Sequence, residues 1–254
     1  MLDGYKVLVT RPREQGAKLC QMIEAERGIA IPFPTLELSP SKGMSRQSLL
    51  QLFAATTRVI FISRNAVEFA HQISGDLASA LRGKKIIAVG DGTLRELATH
   101  DVYGAVSPGA LSGSEELLQT PELDAQKIAG SNVLIVRGGA GREFLHEELV
   151  NRGAIVQYAD VYERSQPDVA QHEVDALWHR IEPDVIVFTS KQGMQGLIRM
   201  TAELDRRIMF SKKLVVMSPR LAAMAGAEGF VIPAHIATEQ SDQGLLQAVR
   251  QTVE

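Results

Sequence analysis

Apolar positions along this chain fall into short continuous runs, separated by stretches in which they recur every three to four residues. Val7-Leu8-Val9, Val59-Ile60-Phe61-Ile62 and Ile86-Ile87-Ala88-Val89 are uninterrupted, as parallel strands covered by helices on both faces require. The intervening stretches have helical period, as where Leu145, Leu149 and Val150 follow Phe144. The pattern predicts strands near 5–10, 29–38, 58–62, 85–89 and 102–106, and helices near 13–27, 45–55, 65–74, 92–99 and 113–119. In the second half it predicts strands near 132–136, 154–164, 184–189, 213–217 and 229–232.

The two halves repeat one another. Lys6-Val7-Leu8-Val9-Thr10-Arg11 recurs as Asn132-Val133-Leu134-Ile135-Val136-Arg137, and Val59–Arg64 recurs as Val185–Lys191. Lys85–Gly90 recurs as Lys213–Ser218. Five βα units per half is the flavodoxin-like count, with right-handed crossovers. The expected fold class is therefore α/β, with two flavodoxin-like parallel-sheet domains related by internal duplication and a functional crevice between them. The second strand of each half is about twice the usual ~5–6 residues. Pro32 and Pro34 bar the first of these from being a regular central strand throughout. The polar stretch 120–130 alone suggests a contiguous boundary near 125.

Composition narrows the chemistry. No run of 18 apolar residues exists and no basic, apolar, small-residue leader is visible, so neither a membrane span nor secretion is expected. A lone cysteine, Cys20, fits a reducing cytoplasm and is expected to pack in the first helix. With a net charge of −3, nothing global favours nucleic acid or membrane, so an anionic ligand must be attracted locally.

Ligands of open parallel sheets bind at the carboxyl ends of the strands. Those ends read Arg11-Pro12-Arg13, Ser63-Arg64-Asn65, Gly90-Asp91-Gly92-Thr93, Arg137-Gly138-Gly139, Ser190-Lys191-Gln192 and Ser218-Pro219-Arg220. Five of the six carry a cation, and each leads into a helix N-terminus that favours anions. The set points to a ligand with several negative charges. Taken singly, Ser63, Ser190, Ser218 and Ser112 are equally N-caps, and Arg11 or Arg64 equally a solvated arginine.

Sharper motifs fail. The turn Gly138-Gly139-Ala140-Gly141-Arg142 is followed by Phe144, which breaks a dinucleotide fingerprint, and there is no Walker or nucleophile-elbow sequence. The six histidines lack ligand spacing, so no metal is expected. His172 and His179 are expected on the surface of one helix, with Trp178 packed beneath it. Tyr162, on the overlong second strand, is either a buried ring with a bonded hydroxyl or a hydroxyl aimed at a ligand.

With these residues in view, the chain resembles the uroporphyrinogen-III synthase family nearly end to end. The resemblance rests on Val9-Thr10-Arg11-Pro12, Phe61–Val67, Ala88–Thr93, Val133–Gly138, Val161-Tyr162-Glu163 and Phe188–Gly193. It implies a domain of 1–37 with 165–254 and another of 38–164, joined by a two-stranded β-ladder. It implies a lyase of the tetrapyrrole pathway that cyclises hydroxymethylbilane; with no metal or nucleotide motif, a cleft supplied by the duplication and a lone cysteine, a cofactor-free cytoplasmic monomer is expected. Transient contact with a neighbouring pathway enzyme is also implied. Tyr162 matches the tyrosine that assists departure of the substrate hydroxyl. Arg11, Ser63, Arg64, Thr93, Arg137, Gly138, Ser190, Lys191, Gln192, Ser218 and Arg220 are the expected substrate-binding residues. Where the family often has Gly-Pro-Thr-Thr, this chain has Ser218-Pro219-Arg220-Leu221, so Arg220 can replace a threonine contact with a charged one. A non-catalytic two-domain receptor for a polycarboxylate or phosphorylated metabolite is the alternative, since it would use the same cations without Tyr162. A tandem flavin carrier is disfavoured by the 5% aromatic content.

Overall fold

The computed structural model describes residues 1–109, 113–139 and 143–253, so the expected Ser112 cap and turn residues 140–142 lie outside the described residues. Ten strands are present among those described: β1 (Lys6–Val9), β2 (Ile29–Pro32), β3 (Glu37–Pro40), β4 (Arg58–Phe61) and β5 (Lys85–Ala88), then β6 (Asn132–Gly138), β7 (Ile155–Ser165), β8 (Val185–Phe188), β9 (Lys213–Val216) and β10 (His235–Ile236). The chain divides into two compact units, Met1–Glu37 with Ser165–Glu254, and Leu38–Arg164.

In the first unit the sheet runs β2-β1-β8-β9-β10, and its pairings are parallel. Successive side chains point to opposite faces, and both faces are buried. Leu8, Ile186, Phe188, Leu214 and Val216 enter one core cluster. Val7, Val9, Val185, Val187 and Val215 enter another. That two-sided burial is why these strands read as unbroken aliphatic runs.

The second unit's sheet runs β3-β7-β6-β4-β5, and Val106 adds one parallel bridge to Ile87 beyond β5. Val59, Phe61, Leu134 and Val136 face one cluster, while Ile60, Ile87, Val133 and Ile135 face the other. With that bridge counted as a fifth strand, β7-β6-β4-β5 has the same flavodoxin-like order as β2-β1-β8-β9-β10. The sequence repeat is therefore shared out. Each sheet takes two neighbouring strands from one half of the chain and the rest from the other.

Three expected strands differ. The long strand 29–38 is two strands in different sheets, β2 and β3. Phe33 and Thr35 still donate to the carbonyls of Val9 and Thr10, but Pro32 and Pro34 cannot donate, and the pairing lapses. The run at 229–232 is not a strand. Gly229, at φ 117°, ends the helix Pro219–Glu228, and Phe230 turns its ring onto Phe188 and Phe210. The two-residue β10 forms after Pro233 instead. The strand at 102–106 reduces to the single bridge. The segment bearing His172 and His179 is also not one regular helix, because Gln171–Ala176 is followed by a wider π turn over Leu177–Ile181. Trp178 is buried there and donates to Thr201 Oγ1 at 3.2 Å.

Candidate functional site

The parallel register brings the expected site residues to the carboxyl edge of each sheet. In the first unit Val9 is level with Val187, and Phe188 with Val216, so the segments after β1, β8 and β9 emerge side by side. Ser190 caps the helix Lys191–Met200 by accepting from Gly193 N at 3.0 Å. Ser218 caps the next helix by accepting from Leu221 N at 3.3 Å. Lys191, Gln192 and Arg220 stand exposed in the first turns of these helices. Arg11 is engaged, because its guanidinium bonds the Asp242 carboxylate. Thr35 Oγ1 donates to Gly193 O at 2.7 Å, and a side chain at Gly196 would collide with the Thr35 carbonyl.

In the second unit Ser63 caps the helix Arg64–Ser74, accepting from Ala66 N at 3.1 Å. Arg64 is exposed, with its stem near Gly92. Thr93 is buried in the first turn of the helix Asp91–Thr99. Arg137 is 8% exposed and engaged by neighbours. Its Nε donates to Asp160 at 2.9 Å and its Nη1 to Glu143 at 3.2 Å, and the guanidinium lies 3.4 Å above the Tyr158 ring centroid. Tyr158 in turn donates to Glu143 at 2.6 Å. Burial and that bond raise the Tyr158 pKa, while the bonds from Tyr158 and Arg137 lower that of Glu143.

Tyr162 owes its place to an irregularity in β7. Arg137 is level with Asp160, but Gly138 is level with Tyr162, so one residue of β7 bulges. Without the bulge, Val161 and Tyr162 would face opposite sides; with it, both are buried in the same cluster. The Tyr162 ring is 1% exposed and stacks on Phe69 at 5.2 Å. Gly138 is obligatory because any Cβ there would overlap that ring. Arg164 Nη2 donates to the Tyr162 Oη at 2.6 Å and its Nη1 donates to Gly138 O at 2.9 Å. Ser63 Oγ lies 3.4 Å from Oη. Sequence reasoning missed Arg164. The available signal was its position two residues beyond Tyr162, on the same face of an extended strand.

One trio has the donor types of a metal site. Glu68, Glu96 and His100 bring ligand atoms within 4.8 Å of one another. They are paired among themselves, with His100 Nε2 at 3.0 Å from Glu68 and 3.7 Å from Glu96.

The profile of the family described as uroporphyrinogen-III synthase HemD matches residues 17–247. A uroporphyrinogen-III synthase from Salmonella typhimurium is 32% identical over 249 residues, covering 96% of this chain and 99% of the relative. One from Escherichia coli is 31% identical with the same coverage. Among solved structures, a mutant uroporphyrinogen III synthase from Thermus thermophilus superposes with a TM-score of 0.65, covering 98% of this chain and 99% of the other at 16% identity. A uroporphyrinogen-III synthetase from Helicobacter pylori gives 0.63, covering 98% of this chain and all of the other, also at 16% identity. The profile match and these two relatives span nearly the whole sequence: the chain belongs to the uroporphyrinogen-III synthase family.

Proposed function

We propose that this chain converts hydroxymethylbilane to uroporphyrinogen III, acting as a cyclising hydro-lyase, and that Tyr162 assists departure of the substrate hydroxyl. Family membership across the full length supports the overall reaction. The single observation supporting the role of Tyr162 is its hydroxyl, held at a strand end by a charged donor while its ring is locked in the core.

The substrate is a linear tetrapyrrole with eight carboxylates. Protonation of its hydroxyl lets the C–O bond break, and the pyrrole nitrogen supplies electrons to form an azafulvene. The terminal ring attacks this electrophile through its already substituted carbon, giving a spiro intermediate that fragments and recloses with that ring inverted. Every step is redox-neutral. Unaided closure joins the ends directly and gives the type I isomer, so orientation of the ends is the protein's main contribution. The accessible cations Arg64, Lys191 and Arg220, in the first turns of their helices, where the helix dipole favours anions, suit carboxylate recognition.

The test is turnover of fresh bilane with isomer analysis. Tyr162→Phe is expected to lower kcat by roughly 10²-fold, the low end for general acid catalysis, and to change product affinity by less than about 1 kcal/mol. Type I isomer should accumulate as slow enzymatic closure loses to spontaneous closure. Wild-type rate with pure type III product would demote Tyr162 to packing.

A further inference from the structure

We infer that Arg164 is a positioning residue for the reaction: it fixes which way the Tyr162 hydroxyl points and holds the charge left on Oη when the proton moves. This rests on the reading of Tyr162 given above and extends it to a residue outside the expected set.

The inference begins with donor and acceptor counting. A phenol oxygen offers one hydrogen and two lone pairs, whereas a guanidinium offers only hydrogens. In the 2.6 Å contact between Arg164 Nη2 and Tyr162 Oη, the tyrosine must therefore accept. Its own hydrogen is turned away from Arg164. The remaining hydrogen-bond contact of Oη among the described residues is Ser63 Oγ at 3.4 Å, beyond the usual O–H···O range. The Ser63 oxygen accepts the Ala66 N–H as a helix cap, and its own hydrogen can turn to the second lone pair of Oη. The phenol hydrogen is thus left for a third partner, which the proposed reaction supplies as the departing hydroxyl.

The guanidinium is itself well anchored. Its second arm donates to the Gly138 carbonyl at 2.9 Å, on the residue whose missing Cβ makes room for the Tyr162 ring. One fork therefore ties the strand end of β6 to the phenol of β7, and a planar two-armed donor does this where an ammonium cannot. When Tyr162 gives its proton to the leaving hydroxyl, water departs with the C–O electron pair. The negative charge remaining on Oη then lies against a permanent cation, as preorganised charge stabilisation requires. Loss of the ring proton at final closure restores the phenol.

The test compares Arg164→Met, Arg164→Lys, Tyr162→Phe and the Arg164→Met/Tyr162→Phe pair, each checked for folding by its melting curve. Arg164→Met is expected to lower kcat roughly tenfold, a part of the ~10²-fold assigned to the hydroxyl, with KM within about twofold of wild type. The double variant should be no slower than Tyr162→Phe alone, since Arg164 acts through that hydroxyl. Arg164→Lys should fall between wild type and Arg164→Met, and it carries the comparison if the methionine variant does not fold. A raised KM with unchanged kcat would make Arg164 a carboxylate contact and overturn the inference. Losses that multiply in the double variant would also overturn it, leaving the role of Tyr162 intact. A Tyr162→Phe enzyme at wild-type rate would remove both.

Discussion

Around Arg137 the charges close on themselves. Its guanidinium is bonded by Glu143 and Asp160 and covered by Tyr158, so this arginine braces the end of β6. The cluster should show itself in the pH dependence of stability. Glu143 has a folded pKa below its ordinary 4.5, through Tyr158 and then Arg137. Its contribution is therefore present above pH 4.5 and lost as the pH falls through the lower folded value. Tyr158 is shifted upward from 10.0, by burial and then by Glu143. Its contribution is intact below pH 10 and declines as the pH rises toward the folded value. Melting curves should thus show the advantage of wild type over Glu143→Gln shrinking below pH 4.5, and that over Tyr158→Phe shrinking above pH 10. An advantage constant with pH in both variants would contradict the cluster. From sequence alone Arg137 was indistinguishable from Arg64, because its strand-end position was visible and its three neighbours, distant by up to 23 residues, were not.

At the scale of elements, the recurring unit is a buried strand, a serine and a helix. Ser63, Ser190 and Ser218 each accept from the backbone N–H of the third residue of their helix. Capping thus uses a serine lone pair and leaves each hydroxyl hydrogen available to donate. The cations separate into two classes by what they touch. Alanine at Arg64, Lys191 or Arg220 is expected to weaken product binding by ~1–2 kcal/mol and to flatten its salt dependence, as partly exposed charge-assisted contacts do. Alanine at Arg11 or Arg137 should instead lower the melting temperature, because each leaves carboxylates unpaired. Binding isotherms at two salt concentrations and melting curves distinguish the classes. The strands β1, β4, β5, β6, β8 and β9 were legible because two-sided burial writes itself as aliphatic runs. The split of β2 from β3 was half legible, in Pro32 and Pro34. The bulge in β7 was not, since a bulge is a relation between two strands and leaves no residue type behind.

At the scale of the whole chain, the duplication was visible in the sequence, but the exchange of strands between its copies was not readable from the repeat alone. That exchange makes Leu38–Arg164 continuous and the other unit discontinuous. A fragment of 38–164 is expected to fold cooperatively by itself, having both core clusters and all of its sheet but one end residue each of β3 and β7. Residues 1–37 alone should remain unfolded. Denaturant titration of the two fragments checks this, and a fragment 38–164 without a cooperative transition would refute it.

The same discontinuity puts the molecule on a timetable during its synthesis. The segment bearing β1 and β2 leaves the ribosome well before β8, and β1 must wait for β8 to cover its other edge. At ~5–20 residues per second the wait is on the order of ten seconds. Throughout it Val7, Leu8 and Val9, which the finished fold buries, are displayed on a nascent chain beside an unpaired strand edge. The continuous unit can fold meanwhile, so the yield of active protein is set by how well the opening segment is kept from other partners until the end of the chain arrives.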